Sequence, residues 1–136
     1  MNLIVCLDVN GGMSFFGRRQ SMDRVLREKA LSLADDGKLW MDAYSAGQFQ
    51  NHLDRICVTQ APLQEVPTDG WFFMELGEAE AYLPGTDRLA VFYWNREYPS
   101  DRSFPLDRVL AEAKLLQKED FPGNSHETIS LEVYQL

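Results

Sequence analysis

Leu3-Ile4-Val5-Cys6-Leu7, followed at once by Asp8-Val9-Asn10-Gly11-Gly12, sets an unbroken aliphatic run against a cluster of turn formers. An apolar run of this length bounded by turn chemistry is the pattern of a strand buried on both faces, since a strand covered on one face would alternate. After the turn, Met22, Val25, Leu26, Ala30 and Leu33 recur at helical spacing. Ser21 is placed to cap that helix and Gly37 to end it. Strand, turn and helix in this order are the first unit of an α/β fold.

The same alternation continues outward. Lys38 to Met41 and Arg55 to Thr59 read as strands, with a turn or short helix over Ala43 to Gly47 between them. Pro62, Pro67, Asp69 and Gly70 then break regular structure before the aromatic strand Trp71-Phe72-Phe73. Glu78 to Leu83 reads as a helix ending at Pro84-Gly85, and Leu89 to Trp94 is the strand richest in aromatic and aliphatic residues. Local propensity favours a helix over Leu106 to Lys118. Ile129, Leu131 and Val133 alternate with Ser130 and Glu132, which marks a final strand covered on one face. The expected architecture is a single α/β domain over residues 1–136, with a mostly parallel sheet, an antiparallel C-terminal strand and flanking helices. Ligands of such sheets bind beyond the carboxyl ends of the strands.

Composition narrows the function classes. With 45% hydrophobic and 25% charged residues the chain is an ordinary globular protein. A formal charge of −8 disfavours sequence-independent binding to nucleic acid, which rests on Lys and Arg against phosphate. Arg18, Arg19, Arg24 and Arg27 are the one candidate basic patch. Cys6 and Cys57 sit in apolar runs without a C-x-x-C spacing, as reduced core thiols do. The start lacks the basic and long apolar regions of a secretion signal, and no apolar run is long enough for a membrane span, so a cytoplasmic location is expected. The two histidines, His52 and His126, stand alone, and no metal is expected. The same isolation argues against ribonuclease Z chemistry, which needs a clustered His-x-His-x-Asp-His metal site. Without a Gly-x-Ser-x-Gly elbow, a hydrolase triad has little support either.

Three separated stretches carry a family resemblance: Met1 to Asp8 with Asn10-Gly11-Gly12-Met13, Leu83-Pro84 through Leu89 to Trp94 with Asp101 and Phe104-Pro105, and Asn124-Ser125-His126 followed by Glu127 to Tyr134. In this order they resemble a shortened, divergent dihydrofolate reductase, with one strand and helix fewer between Thr59 and Trp71. The resemblance implies that family's fold, and it implies a strand around Ala113 to Lys118 in place of the helix favoured by propensity. It places the carboxylate that orients and helps protonate the pterin at Asp23. Read from local pattern alone, Asp23 is a first-turn helix acid able to pair with Arg27.

The residues depart from the family where its cofactor would bind. The turn that should carry a phosphate-clamping Arg reads Asp42-Ala43-Tyr44-Ser45, keeping only Ser45 at the capping position. The paired glycines are replaced by Met74-Glu75-Leu76-Gly77, and the Thr that bonds the carboxylate is Phe92. The expectation is therefore a non-reductase that takes no NADP and binds a small planar ligand or a protein near Asn10, Met13, Arg18, Asp23, Trp40 and Ser45. A divergent pterin- or nucleotide-linked reductase and a purely structural interaction module are the alternatives.

Overall fold

The computed structural model describes residues 1–136. Its main sheet has seven strands in the order β5-β4-β6-β1-β7-β10-β9, where β1 is Asn2–Leu7, β4 Leu39–Met41, β5 Ile56–Val58, β6 Trp71–Phe73, β7 Arg88–Tyr93, β9 Lys114–Phe121 and β10 Ile129–Gln135. β1 lies between β6 and β7 and is parallel to both; β4 is parallel to β5 and β6. β10 is antiparallel to β7 and to β9. The unbroken aliphatic run of β1 is explained by this central place: Leu3, Ile4, Val5 and Leu7 are fully buried.

Alternation along the strands divides the core into two layers. Ile4, Cys6, Trp71, Phe73, Ala90, Phe92, Ile129, Leu131 and Val133 face the helix α1 (Arg24–Leu33), which contributes Leu26, Ala30 and Leu31. Leu3, Val5, Leu7, Phe72, Leu89 and Val91 face the opposite layer with Met13 and Phe104. Short elements cover that second face, among them 3₁₀ turns at Ala79–Ala81 and Leu83–Gly85 and the helix α4 (Leu106–Leu110). Two further one-turn helices follow β4 and β5, α2 (Ala43–Ala46) and α3 (Pro62–Glu65). Both cysteines are free thiols, and no helix is long and apolar enough to cross a membrane.

Several local readings need correction. Asp23, not Ser21, caps α1: its extended backbone lets the carboxylate accept from the N–H groups of Val25 and Leu26. The helix closes at Ala34 and the left-handed Asp35, ahead of Gly37. Asp42, not Ser45, caps α2. In place of the helix expected over Glu78 to Leu83, two separate 3₁₀ turns form, Ala79–Ala81 and Leu83–Gly85, with Pro84, which has no N–H to continue a helix, inside the second. The segment after α4 is a strand despite its helical composition, because pairing of Lys114–Phe121 with β10 outweighs propensity differences of a few tenths of a kcal/mol per residue.

A three-stranded sheet, β3-β2-β8, stands beside the carboxyl ends of the central strands; β2 is Gly12–Phe15, β3 Arg18–Arg19 and β8 Arg102–Ser103. Phe16 and Gly17 join β2 to β3 with φ of 50° and 68°. Two consecutive left-handed residues are the signature of the tight hairpin turn whose twist suits antiparallel strands. The hairpin returns the chain towards the sheet, so that residues 19–23 run into the rim where the strands end.

Candidate functional site at the carboxyl rim of the sheet

Two buried carboxylates organise this rim, and the segment from Arg19 to Asp23 connects them. Asp23 is 2% exposed. Besides capping α1 through Oδ1, it accepts from the backbone N–H of Asn124 at 3.0 Å and of Ser125 at 2.8 Å. Ser125 Oγ lies 3.2 Å from Oδ2 and His126 Nδ1 lies 3.1 Å from it. Burial by itself pushes a carboxyl group up, but the N–H groups of Asn124 and Ser125, the His126 ring and the Leu26 N–H together hold Asp23 well below the ordinary carboxylate range. Gly123 is required for this closeness: a Cβ there would stand 2.6 Å from Asp23 Oδ2 and 2.8 Å from the His126 carbonyl oxygen.

His126 is buried against Trp94, with ring centroids 4.7 Å apart and planes 28° from parallel. An ionised carboxylate only accepts, so the proton on the ring belongs on Nδ1 and Nε2 presents a lone pair. Two hydroxyls reach that nitrogen: Tyr98 Oη at 2.9 Å and Ser21 Oγ at 3.1 Å. Tyr98 is itself fixed by Asp8, whose Oδ2 accepts from the Tyr98 N–H while Oδ1 accepts from Asn10 and Gly12.

The second carboxylate, Glu75, follows β6 and is 5% exposed. Arg19 Nε donates to both of its oxygens, at 3.1 and 3.0 Å. The guanidinium also lies over the Tyr44 ring, 4.2 Å from its centroid, and donates to the Tyr44 carbonyl oxygen. Burial pushes Glu75 up, and the facing Arg19 offsets only part of that effect. The Ser45 and Gln48 side chains are turned towards Glu75 beside this pair and, with Arg19, offset part of the effect of burial. Cys6 is also raised, by burial first and by the Glu75 charge second, which keeps it a protonated core thiol.

The residues singled out from sequence separate in space. Asn10 is exposed on a turn and Arg18 is exposed on β3, Met13 is core, and Trp40 packs against the core layer on the face away from α1. Asp23 and Ser45 belong to the two different carboxylate clusters. The basic patch is not a patch: Arg19 turns inward to Glu75, while Arg24 pairs with Glu28 and Asn124. Asp23 does not pair with Arg27. Sequence reading missed Arg19, Glu75 as its partner, Tyr98 and His126, because their contacts join residues 28 to 105 positions apart.

This arrangement of strands, with the hairpin at their carboxyl ends, can be compared with solved structures. A dihydrofolate reductase from Enterococcus faecalis, solved in complex with NADP(H) and RAB-propyl, superposes with a TM-score of 0.67 over 98% of this chain and 94% of that one. The chain has the dihydrofolate-reductase-like fold. Identity to that enzyme is 11%, so the likeness is one of fold. No protein-family model matches the chain, and no curated protein matches its sequence.

Proposed function

We propose that this dihydrofolate-reductase-like protein is a binding protein that does not carry out NADPH-dependent reduction. The observation that carries the reading is the saturation of Asp23. A carboxyl group that assists proton delivery to a bound pterin needs a free oxygen facing the ligand and a pKa near the working pH. Asp23 instead spends its oxygens on α1 and on the Asn124-Ser125-His126 loop, and that loop's N–H groups hold it ionised.

The cofactor half does not fit NADP either. At the amino end of α2 the Asp42 carboxylate already takes the Ser45 N–H, at 2.8 Å, where a phosphate would need free donors. Glu75 adds a buried negative group, and the one nearby cation, Arg19, is engaged with it.

A binding role is supported by a groove at the amino ends of β4 and β6, lined by Lys38, Trp40, Pro67 and Trp71. Trp40 is half-buried there, which leaves part of its indole for contact with a planar ligand. Two measurements test the reading. Titration of NADPH should leave tryptophan fluorescence unchanged, and mixing with NADPH and dihydrofolate should give no oxidation of NADPH. A panel of pterins and nucleotides should contain a compound that raises the melting temperature of the wild type but not of Trp40→Ala. Saturable NADPH binding with turnover would overturn the proposal.

A further inference from the structure

Ser21, His126 and Asp23 are in series: a half-buried hydroxyl 3.1 Å from one ring nitrogen, and a buried carboxylate 3.1 Å from the other. We propose that this series is a nucleophilic site at which Ser21 takes the acyl group of small, unhindered carboxylic esters. The inference goes beyond the binding role above and uses neither the Trp40 groove nor the Glu75 cluster.

The geometry meets the requirements of an activated serine one by one. A base must lie within hydrogen-bond reach of the nucleophile, and His126 Nε2 does; its one lone pair takes the Ser21 proton when Tyr98, 2.9 Å from the same nitrogen, donates instead to Ser21 Oγ. A third group must fix the base's tautomer, and Asp23 accepts from Nδ1. The base should be rigid and dry, and the side chains of His126 and Asp23 are 2% and 0% exposed under Trp94. The nucleophile itself must be reachable: Ser21 is only half-buried and precedes the exposed Met22. The backbone N–H groups of Ser21 and Met22 make no hydrogen bond within the chain, leaving donors in the nucleophile's own segment for charge developing on a carbonyl oxygen. Tyr98 and His126 crowd the hydroxyl, which limits the acyl group to a small one.

In the proposed step Ser21 Oγ bonds to the ester carbonyl carbon as its proton moves to His126 Nε2. The bond from that carbon to the alcohol oxygen breaks, and Nε2 gives the proton to the departing alcohol. Water then bonds to the acyl carbon and gives a proton to Nε2. The bond to Oγ breaks, Oγ recovers the proton, and the products are the acid and the alcohol.

The test uses the intact chain, a fluorophosphonate probe and p-nitrophenyl acetate. Peptide mapping of the labelled wild type should place a single adduct on Ser21, and heat-unfolded protein should give none. Ester turnover should fall at least about 10²-fold in Ser21→Ala, because the covalent route is lost and His126 is left as a base without its nucleophile. Circular dichroism should show that variant folded; if it is not, the wild-type adduct position still decides. Absence of an adduct, an adduct on Tyr98 or another residue, or full turnover in folded Ser21→Ala would each overturn the proposal.

Discussion

Asp23 and Glu75 are both buried carboxylates at the same rim, only three residues of chain lie between Asp23 and Glu75's partner Arg19, and yet the two are shifted in opposite directions. Desolvation acts upward on both. Around Asp23 it is outweighed by backbone N–H groups from two segments and by a histidine ring. Around Glu75 it prevails, although a full positive charge stands 3.0 Å away. Directed backbone dipoles that cost nothing to reorganise thus stabilise a buried anion better than one mobile cation which must itself be desolvated. Asp23 is wired into the fold, whereas Glu75 and Arg19 are held by each other.

The largest expected consequence is at Asp23. Asp23→Ala removes the cap of α1, worth about 1 kcal/mol, and takes the acceptor from the buried His126 ring, worth about 1–3 kcal/mol, while the exposed Asn124 and Ser125 can turn their N–H groups to water. Urea denaturation should show a loss of about 3 kcal/mol. Asp23→Asn, which keeps an accepting oxygen, should lose less. Equal losses in the two variants would mean that the cap and the loop contacts matter little beside the charge.

At the other cluster the prediction separates the single change from the pair. Arg19→Met leaves the Glu75 carboxylate buried and alone and should cost about 3 kcal/mol at neutral pH. Arg19→Met combined with Glu75→Leu should fall within about 1 kcal/mol of wild type, because apolar side chains of similar volume fill the space without desolvating charge. A double variant as unstable as the single one would show that the ion pair, like Asp23, is tied to the surrounding backbone.

These differences also mark where sequence reading stops. The sheet was legible because Leu3–Leu7, Leu89–Trp94 and Ile129–Val133 carry their burial in local periodicity, whereas Asp23 was singled out only through the family resemblance, its local pattern being that of an ordinary first-turn acid. The strand Lys114–Phe121 was legible only through resemblance, since its own composition is helical. Nothing local announces that Arg19 will turn inward while Arg18, next to it, stays exposed. That outcome follows from strand alternation in the β2–β3 hairpin, which sends neighbouring side chains to opposite faces. His126 stands alone in sequence and joins Ser21 and Asp23 only after β10 has paired with β7. The signal that could have found it is Gly123, the residue that lets the loop approach a carboxylate so closely.

Acid should sharpen the comparison further, with the smallest energies and the clearest signs. Asp23 is lowered in the folded protein, so its contribution is complete above the unfolded carboxyl value near pH 4 and is lost as pH falls further. The stability advantage of wild type over Asp23→Asn should therefore be flat from neutral pH to about 4 and shrink below it. Glu75 is raised, so its ionised form is a cost at neutral pH that disappears as pH falls through its folded value towards the unfolded one. Wild type should accordingly gain on Glu75→Gln as the solution is acidified from neutral pH to about 4, by roughly 1 kcal/mol for each pKa unit of displacement. Other carboxylates titrate alike in wild type and variant and cancel from each difference. Two differences moving in the same direction would show that burial, and not the supply of donors, governs both sites.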